Sequence, residues 1–172
     1  MANEISLGDI DREFQLLRND PEAYLELTNG FVEQHPDNAN AYFARHHAWE
    51  SLGLPDLALA DLDKSLALED HHTTHGARGR ILHGLGRYRE AIDAYDRSEG
   101  LDPTQWEGGF GALFRADCHA LLGDESAALA DCETMPDDHW TPGLFGAPAG
   151  TKQEVAAELR RRAAAAREKQ IS

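Results

Sequence analysis

A Leu-Gly dipeptide recurs along this chain at a nearly constant interval. Leu52-Gly53, Leu85-Gly86 and Leu122-Gly123 are spaced 33 and then 37 residues apart, a period typical of stacked helical repeats. A glycine after the last turn of a helix accommodates the left-handed backbone that closes the helix. Each dipeptide is therefore predicted to end one helix and to precede another.

Two further columns of the repeat predict helical hairpins. Five residues after each glycine the chain places an alanine, and four residues later a larger side chain: Ala58 and Leu62, Ala91 and Tyr95, Ala128 and Cys132. The small residue lets two antiparallel helices approach closely, and the larger one fills the seam between them. Because a single hairpin cannot bury its own apolar faces, the hairpins are predicted to stack.

Additional residues of the three units match a known repeat pattern. They are Tyr42, Trp49, Leu52-Gly53, Ala58 and Leu62; then Gly79, Leu82, Leu85-Gly86, Ala91, Tyr95 and Asp102-Pro103; then Ala116, Leu122-Gly123, Ala128 and Cys132. Over residues 39–135 the chain thereby resembles the tetratricopeptide repeat (TPR) family. The resemblance implies an all-α fold, a right-handed α-solenoid of antiparallel helical hairpins with a C-terminal capping helix. It also implies a non-enzymatic scaffold or adaptor that binds a partner segment in a concave groove.

The pattern divides the chain into segments of a single TPR-like domain over residues 1–172. These are a degenerate N-terminal hairpin (8–37), repeat 1 (39–72), repeat 2 (73–103), repeat 3 (109–135), a Pro/Gly-rich loop (136–150) and a capping helix (151–170). In the first hairpin, a short helix near Asp9 to Arg18 is predicted to partner a helix that opens at Asp20-Pro21. The second helix of repeat 3 is predicted to stop early, at Pro136.

The capping helix has an N-terminal signature. Thr151-Lys152-Gln153-Glu154 has the form of a capping box. Val155, Leu159, Ala163 and Ala166 then recur on one helical face, as expected of a helix that covers the last repeat, while Arg160-Arg161-Arg162 are expected to face water.

The loop before this helix is unusually apolar, through Trp140, Leu144 and Phe145. Either these side chains fold back on the chain or they contact a partner. We expect them to fold back, because burying three apolar side chains offsets the modest entropy of closing the loop.

Composition and motifs argue against several classes of function. The chain has 172 residues and a net charge of −15, which argues against nucleic acid because a phosphate backbone would be repelled. The first residues lack a signal-peptide pattern and no apolar run could span a bilayer, so a cytoplasmic, acidic protein is expected.

Cys118 and Cys132 fall in helical core columns and are predicted to be buried free thiols. No nucleophile, phosphate-loop or cofactor motif is recognisable, so neither catalysis nor a cofactor is predicted.

An arginine occupies the same position in each repeat: Arg45, Arg78 and Arg115. The column is either a basic ladder for an acidic ligand or a set of ion pairs with nearby carboxylates. We favour ion pairs, with Asp61 and Asp131 as the recurring candidates.

In TPR proteins the first helix of each repeat lines the groove, which gives candidate partner-binding residues here. They are Asn40, Phe43, His47 and Glu50 in repeat 1, Thr73, Arg80 and His83 in repeat 2, and Phe110, Leu113 and Asp117 in repeat 3. The family's clamp for a terminal carboxylate is absent, because Lys, Asn and Arg are replaced there by Phe43, His47 and Phe110 among others. The partner is an unidentified protein or peptide, and assembly with further copies of the chain is also compatible with the pattern.

A second class of function rests on histidine. His71, His72 and His75, with His46 and His47 in the preceding repeat, could ligate zinc or nickel. An inter-repeat turn explains the first three equally well, so no metal ligand is assigned. The alternative function is accordingly a metal- or small-molecule-binding repeat protein that uses the histidines of repeats 1 and 2.

Overall fold

The computed structural model describes residues 15–103, 110–138, 140–143 and 146–171. Residues 15–19 are helical, and the elements that follow are α1 Pro21–Gln34, α2 Ala39–Ser51, α3 Pro55–Leu68, α4 His72–Gly84, α5 Tyr88–Leu101, α6 Phe110–Leu121, α7 Glu125–Glu133, β1 Trp140–Thr141, β2 Gly150–Thr151 and α8 Lys152–Ile171. The predicted all-α class is confirmed, and β1 and β2 add only a two-residue antiparallel pairing. Among the helices described, none combines the length and apolarity that crossing a bilayer requires.

The chain forms two compact units, one ending at Asp70 and the other beginning at His71. In the first unit, α2 packs against both α1 and α3. In the second, consecutive helices from α4 to α7 pack in sequence, and α8 packs on both α6 and α7.

The Leu-Gly dipeptides close helices as predicted. Gly53 adopts φ 70°, and the equivalent glycines Gly86 and Gly123 adopt 73° and 89°. The amide of Leu54 then donates to the Trp49 carbonyl at 2.8 Å, which satisfies an otherwise unpaired group at the end of α2.

The alanine column lies at the helix crossings. Ala58, Ala91 and Ala128 are completely buried, and the larger residues Leu62, Tyr95 and Cys132 are buried beside them. In the second unit α4 and α5 approach closely at Gly79, where an added Cβ would lie 2.7 Å from the Tyr95 ring. A glycine is therefore required for α4 to reach α5.

The C-terminal helix begins with the predicted capping box. Thr151 donates its amide to Glu154 Oε2 at 2.8 Å, and the Glu154 amide donates to Thr151 Oγ1 at 3.4 Å. Val155, Leu159 and Ala163 are completely buried. The helix thus covers the last repeat, as expected.

The segment between α7 and α8 corrects one expectation. Trp140 is 64% exposed, whereas Thr141, Ala147 and Pro148 are buried. Residues of a strand alternate between faces, and burial of Thr141 directs its neighbour Trp140 to solvent. The segment therefore packs on the chain without Trp140, while Leu144 and Phe145 lie outside the described residues.

Candidate functional site

Four predicted groove residues share one face of α2 in the first unit. Asn40 is exposed, and Phe43, His47 and Glu50 are half-buried. Their spacing of three or four residues places them in one row along the helix. This row is accessible to a partner.

An apolar groove of about 470 Å³ lies beside Asn40, between α1 and α2. Its lining residues are Tyr24, Leu27, Thr28, Phe31, Asn38, Asn40 and Ala44, and Leu27 and Phe31 are 53% and 40% exposed. The helix predicted near Asp9 to Arg18 to partner α1 lies largely outside the described residues, which begin at residue 15. The groove presents the exposed side chains of Leu27 and Phe31 on the surface of the first unit.

In the second unit, only some of the predicted groove residues are accessible. Thr73 and Arg80 on α4 retain solvent exposure, but His83 is buried. Helix α6 begins at Phe110, whose side chain lies outside the description. Leu113 is 1% exposed and Asp117 is completely buried.

His83 and Asp117, each predicted to face a partner, contact each other instead. His83 Nε2 donates to Asp117 Oδ2 at 2.8 Å, and Arg162 Nη1 donates to Asp117 Oδ1 at 2.6 Å. Among the three arginines expected to face water, Arg162 thus turns inward while Arg160 and Arg161 stay exposed. The prediction that Asp117 and His83 line an open surface therefore needs correcting.

Contacts with other helices of the second unit account for this burial. Helix α8 packs along α6, and the Phe114 ring of α6 also contacts α4 through His83 and α5 through Tyr95. Phe114 is 4% exposed, and its ring lies 5.5 Å from that of His83. The chain itself fills the face of repeat 3 that sequence reasoning gave to a partner.

The first arginine of the recurrent column forms an ion pair, as favoured. Arg45 donates through Nε and Nη2 to both oxygens of Asp61, at 2.8 and 2.7 Å. Trp49 Nε1 also donates to Asp61 Oδ2 at 2.8 Å. The hydrogen bond to Asp61 raises the pKa of Arg45, and the fork geometry holds α2 on α3.

The third arginine repeats the arrangement in the second unit. Arg115 donates to both Asp131 oxygens at 2.9 and 2.7 Å, and to Asp96 and Glu99 at 2.6 Å each. In repeat 2 the acidic position of the column is Ala94. The arginines of repeats 1 and 3 are thus structural and do not form a ladder for an acidic ligand.

Both cysteines are buried free thiols, as predicted. Burial raises the pKa of Cys118 to about 12 and also raises that of Cys132. A thiol with such a pKa stays protonated near neutral pH and is a poor nucleophile.

The predicted histidine cluster of repeat 2 does not converge on one point. His71 caps α4, where Nδ1 accepts from the Thr73 amide at 3.3 Å, and His72 lies 3.8 Å from Asp102. Among the described residues, ligand-type atoms converge instead on α2, at His46, His47 and Glu50. The sequence analysis named both histidines as possible metal ligands but did not group Glu50 with them. The i, i+4 spacing of His46 and Glu50 could have indicated that they share a helical face.

Comparison with known proteins rests on one sequence relative and several solved structures. No family model matches the chain. It is 30% identical to the human "Protein SGT1 homolog" over 135 residues, 78% of this chain and 34% of that protein. The chain therefore spans about a third of that relative's length.

Solved structures resemble the chain over most of its length. The crystal structure of MamA superposes with a TM-score of 0.66 at 17% identity, covering 96% of this chain and 97% of that one. TTC0263, a thermophilic TPR protein of Thermus thermophilus, has a TM-score of 0.56 at 20% identity, covering 94% and 92%. Together with the positive-φ glycines and the buried alanine column, these matches identify the chain as a helical repeat protein with the tetratricopeptide-repeat fold.

Proposed function

We propose that the chain is a non-enzymatic scaffold that binds a segment of a partner protein on the accessible row of α2. This proposal rests on a difference in exposure between equivalent faces of α2 and α6. Asn40, Phe43, His47 and Glu50 remain accessible, whereas Leu113 and Asp117 at the corresponding positions of α6 are buried. The accessible face of α2 presents an amide, an aromatic ring, an imidazole and a carboxylate, which suit recognition of a peptide.

The buried polar groups support a structural rather than a catalytic use. Asp61 and Asp131 are each held by a forked arginine, and Asp117 is held by Arg162 and His83. Burial keeps the Cys118 thiol protonated, so it is not an activated nucleophile.

The charge of the chain favours a basic partner segment. With a net charge of −15, the protein attracts positive groups at long range, and this attraction weakens as salt screens it. In the second unit, Thr73 and Arg80 are the accessible members of the predicted set, and we propose that they supply further contacts. Two buried reduced cysteines suit a reducing compartment, so we place the protein in the cytoplasm.

One matched pair of variants tests the binding surface. Asn40→Arg adds a large cation to the proposed surface, and Ala60→Arg adds the same side chain at an exposed position of α3. Affinity capture from the lysate of the source organism, with mass spectrometry, should recover the same protein with wild type and with Ala60→Arg. Asn40→Arg should lose it.

Two controls make the result specific. Circular dichroism and thermal melting must show that both variants fold like wild type. A photo-crosslinker at Phe43 should link to the captured protein, with less product at higher salt, whereas one placed at Ala60 should not. Equal capture by Asn40→Arg and wild type, or crosslinking only from Ala60, would contradict a binding surface on α2.

A further inference from the structure

We propose that α2 carries a binding site for a divalent transition-metal ion, formed by His46, His47 and Glu50. One ligand-type atom from each residue lies within 4.8 Å of the other two. All three residues belong to one helix, α2. This inference concerns a metal site and does not rest on the proposed partner binding.

His46 has the orientation that metal-binding histidines adopt. Its Nδ1 atom contacts the carbonyl oxygen of Phe43. A carbonyl can only accept, so Nδ1 carries the proton and the lone pair of the neutral ring is on Nε2. Histidine ligands of metals usually fix their ring by such a bond from the other nitrogen.

The second ring nitrogen of His46 faces a carboxylate. Nε2 of His46 lies 3.6 Å from Glu50 Oε2. Two ligands at zinc distances of about 2.1 Å around a tetrahedral ion are about 3.4 Å apart, so an ion fits between these atoms with little movement. A cation there attracts both the nitrogen lone pair and the carboxylate, which repel each other when the ring is neutral and no cation lies between them.

His47 supplies the second imidazole. Its ring centroid lies 3.8 Å from that of His46, closer than the about 5 Å expected for two imidazoles on one tetrahedral ion, so the half-buried His47 ring must turn away from His46 to ligate. His46 is completely buried, whereas the Glu50 side chain is 22% exposed and His47 is half-buried. The site is thus anchored inside the helix packing and open on one side, which gives an ion a route of entry and leaves a coordination position for water.

The donor set selects the class of metal. Two imidazole nitrogens and one carboxylate suit Zn²⁺, Ni²⁺ or Cu²⁺, whereas Ca²⁺ and Mg²⁺ require mostly oxygen ligands. A three-residue set with an open position is the arrangement found in zinc sites that keep a water.

The direct test is titration of chelator-treated, dialysed protein with Zn²⁺ by calorimetry. Wild type should bind one ion per chain at this site. His47→Ala and Glu50→Gln should each weaken Zn²⁺ binding by more than about 100-fold. Removing an outer-shell partner costs about 10- to 100-fold, so a larger loss indicates a direct ligand. The matched control is His71→Asn, which also removes an imidazole but preserves the side-chain cap of α4, and it should bind like wild type.

Two further measurements separate ligation from misfolding. Melting of the metal-free variants should match metal-free wild type, and Zn²⁺ should raise the melting temperature of wild type and His71→Asn only. Co²⁺ should give a visible absorption band with wild type that Glu50→Gln lacks. Absence of saturable Zn²⁺ binding, equal affinity in wild type and both site variants, or loss of binding in His71→Asn would overturn the proposal.

Discussion

Arg162 on the C-terminal helix donates a 2.6 Å hydrogen bond to Asp117, a buried residue 45 positions earlier. The other carboxylate oxygen of Asp117 accepts from His83 at 2.8 Å. Three helices of the second unit, α4, α6 and α8, therefore meet at one carboxylate. The contact explains why a helix with several arginines can serve as a cap: one of them neutralises a charge that the last repeat buries.

Replacing Arg162 with methionine should destabilise the second unit. The substitution keeps an unbranched stem but leaves Asp117 buried with only His83 as a partner, and we expect a loss of about 3 kcal/mol in the free energy of unfolding. Arg160→Met is the matched control, because Arg160 is exposed on the same helix and should change stability by no more than about 0.5 kcal/mol. Urea denaturation measures both, and equal midpoints would show that the ion pair does not hold α8.

Gly79 should not tolerate alanine. A Cβ at this position would lie 2.7 Å from the Tyr95 ring, which is 1% exposed and stacks on Phe114, so it cannot move aside. We expect Gly79→Ala to cost about 1 to 3 kcal/mol of unfolding free energy.

Gly84 is the control for this substitution. It lies at the end of the same helix with no atom within 4 Å of an added Cβ. Gly84→Ala should leave stability unchanged or raise it by about 0.5 kcal/mol. Thermal melting should separate the two alanine variants, and a Gly79→Ala protein as stable as wild type would rule out the tight α4–α5 seam.

Stability at low pH should depend in part on Glu158. Hydrogen bonds from Arg161 and Arg162 lower the pKa of Glu158 from 4.5 to about 2. Because the folded-state pKa lies below the unfolded one, these bonds stabilise the protein above about pH 4.5 and stop doing so as the pH falls toward about 2.

Denaturation of Glu158→Gln across this range provides the measurement. The variant should be less stable than wild type at pH 7, by an amount reduced by solvent screening. The difference should shrink below about pH 4.5 and disappear only below about pH 2, where the carboxyl is protonated in both states. Glu168→Gln is the control, because Glu168 is exposed near the end of the same helix and its replacement should change stability by no more than about 0.5 kcal/mol. A constant Glu158→Gln difference would contradict the assignment.

Local features of the repeat were predictable from the sequence because each has a fixed spacing. The turn at Gly53 depends on one residue that accepts a positive φ, and the capping box at Thr151 depends on a residue three positions later. The pairing of Arg45 with Asp61 was predictable as well. Both residues hold fixed positions in a hairpin, and Arg115 repeats the relationship with Asp131.

Contacts that depend on how α8 docks could not be predicted. Periodicity places Asp117 on a helical face, but only packing decides whether that face meets a partner or another helix of the chain. Adjacent helical residues such as His46 and His47 are expected to diverge, and only their side-chain conformations bring the rings together. The exposed Trp140 likewise follows from strand alternation, which two residues of sequence cannot reveal.

Trp140 should contribute little to stability despite its size. Its side chain is 64% exposed, so Trp140→Ala removes few buried contacts and should change the free energy of unfolding by no more than about 0.5 kcal/mol. Leu159→Ala, at a completely buried position of α8, should cost about 2 to 5 kcal/mol in the same assay.

An exposed tryptophan such as Trp140 is instead suited to a partner, because large aromatic side chains dominate the energy of interfaces. We therefore expect Trp140→Ala to melt like wild type but to retain less of any protein captured by the wild-type chain. A lower melting temperature for the isolated Trp140→Ala variant would show that the indole packs on the chain and that it is not available to a partner.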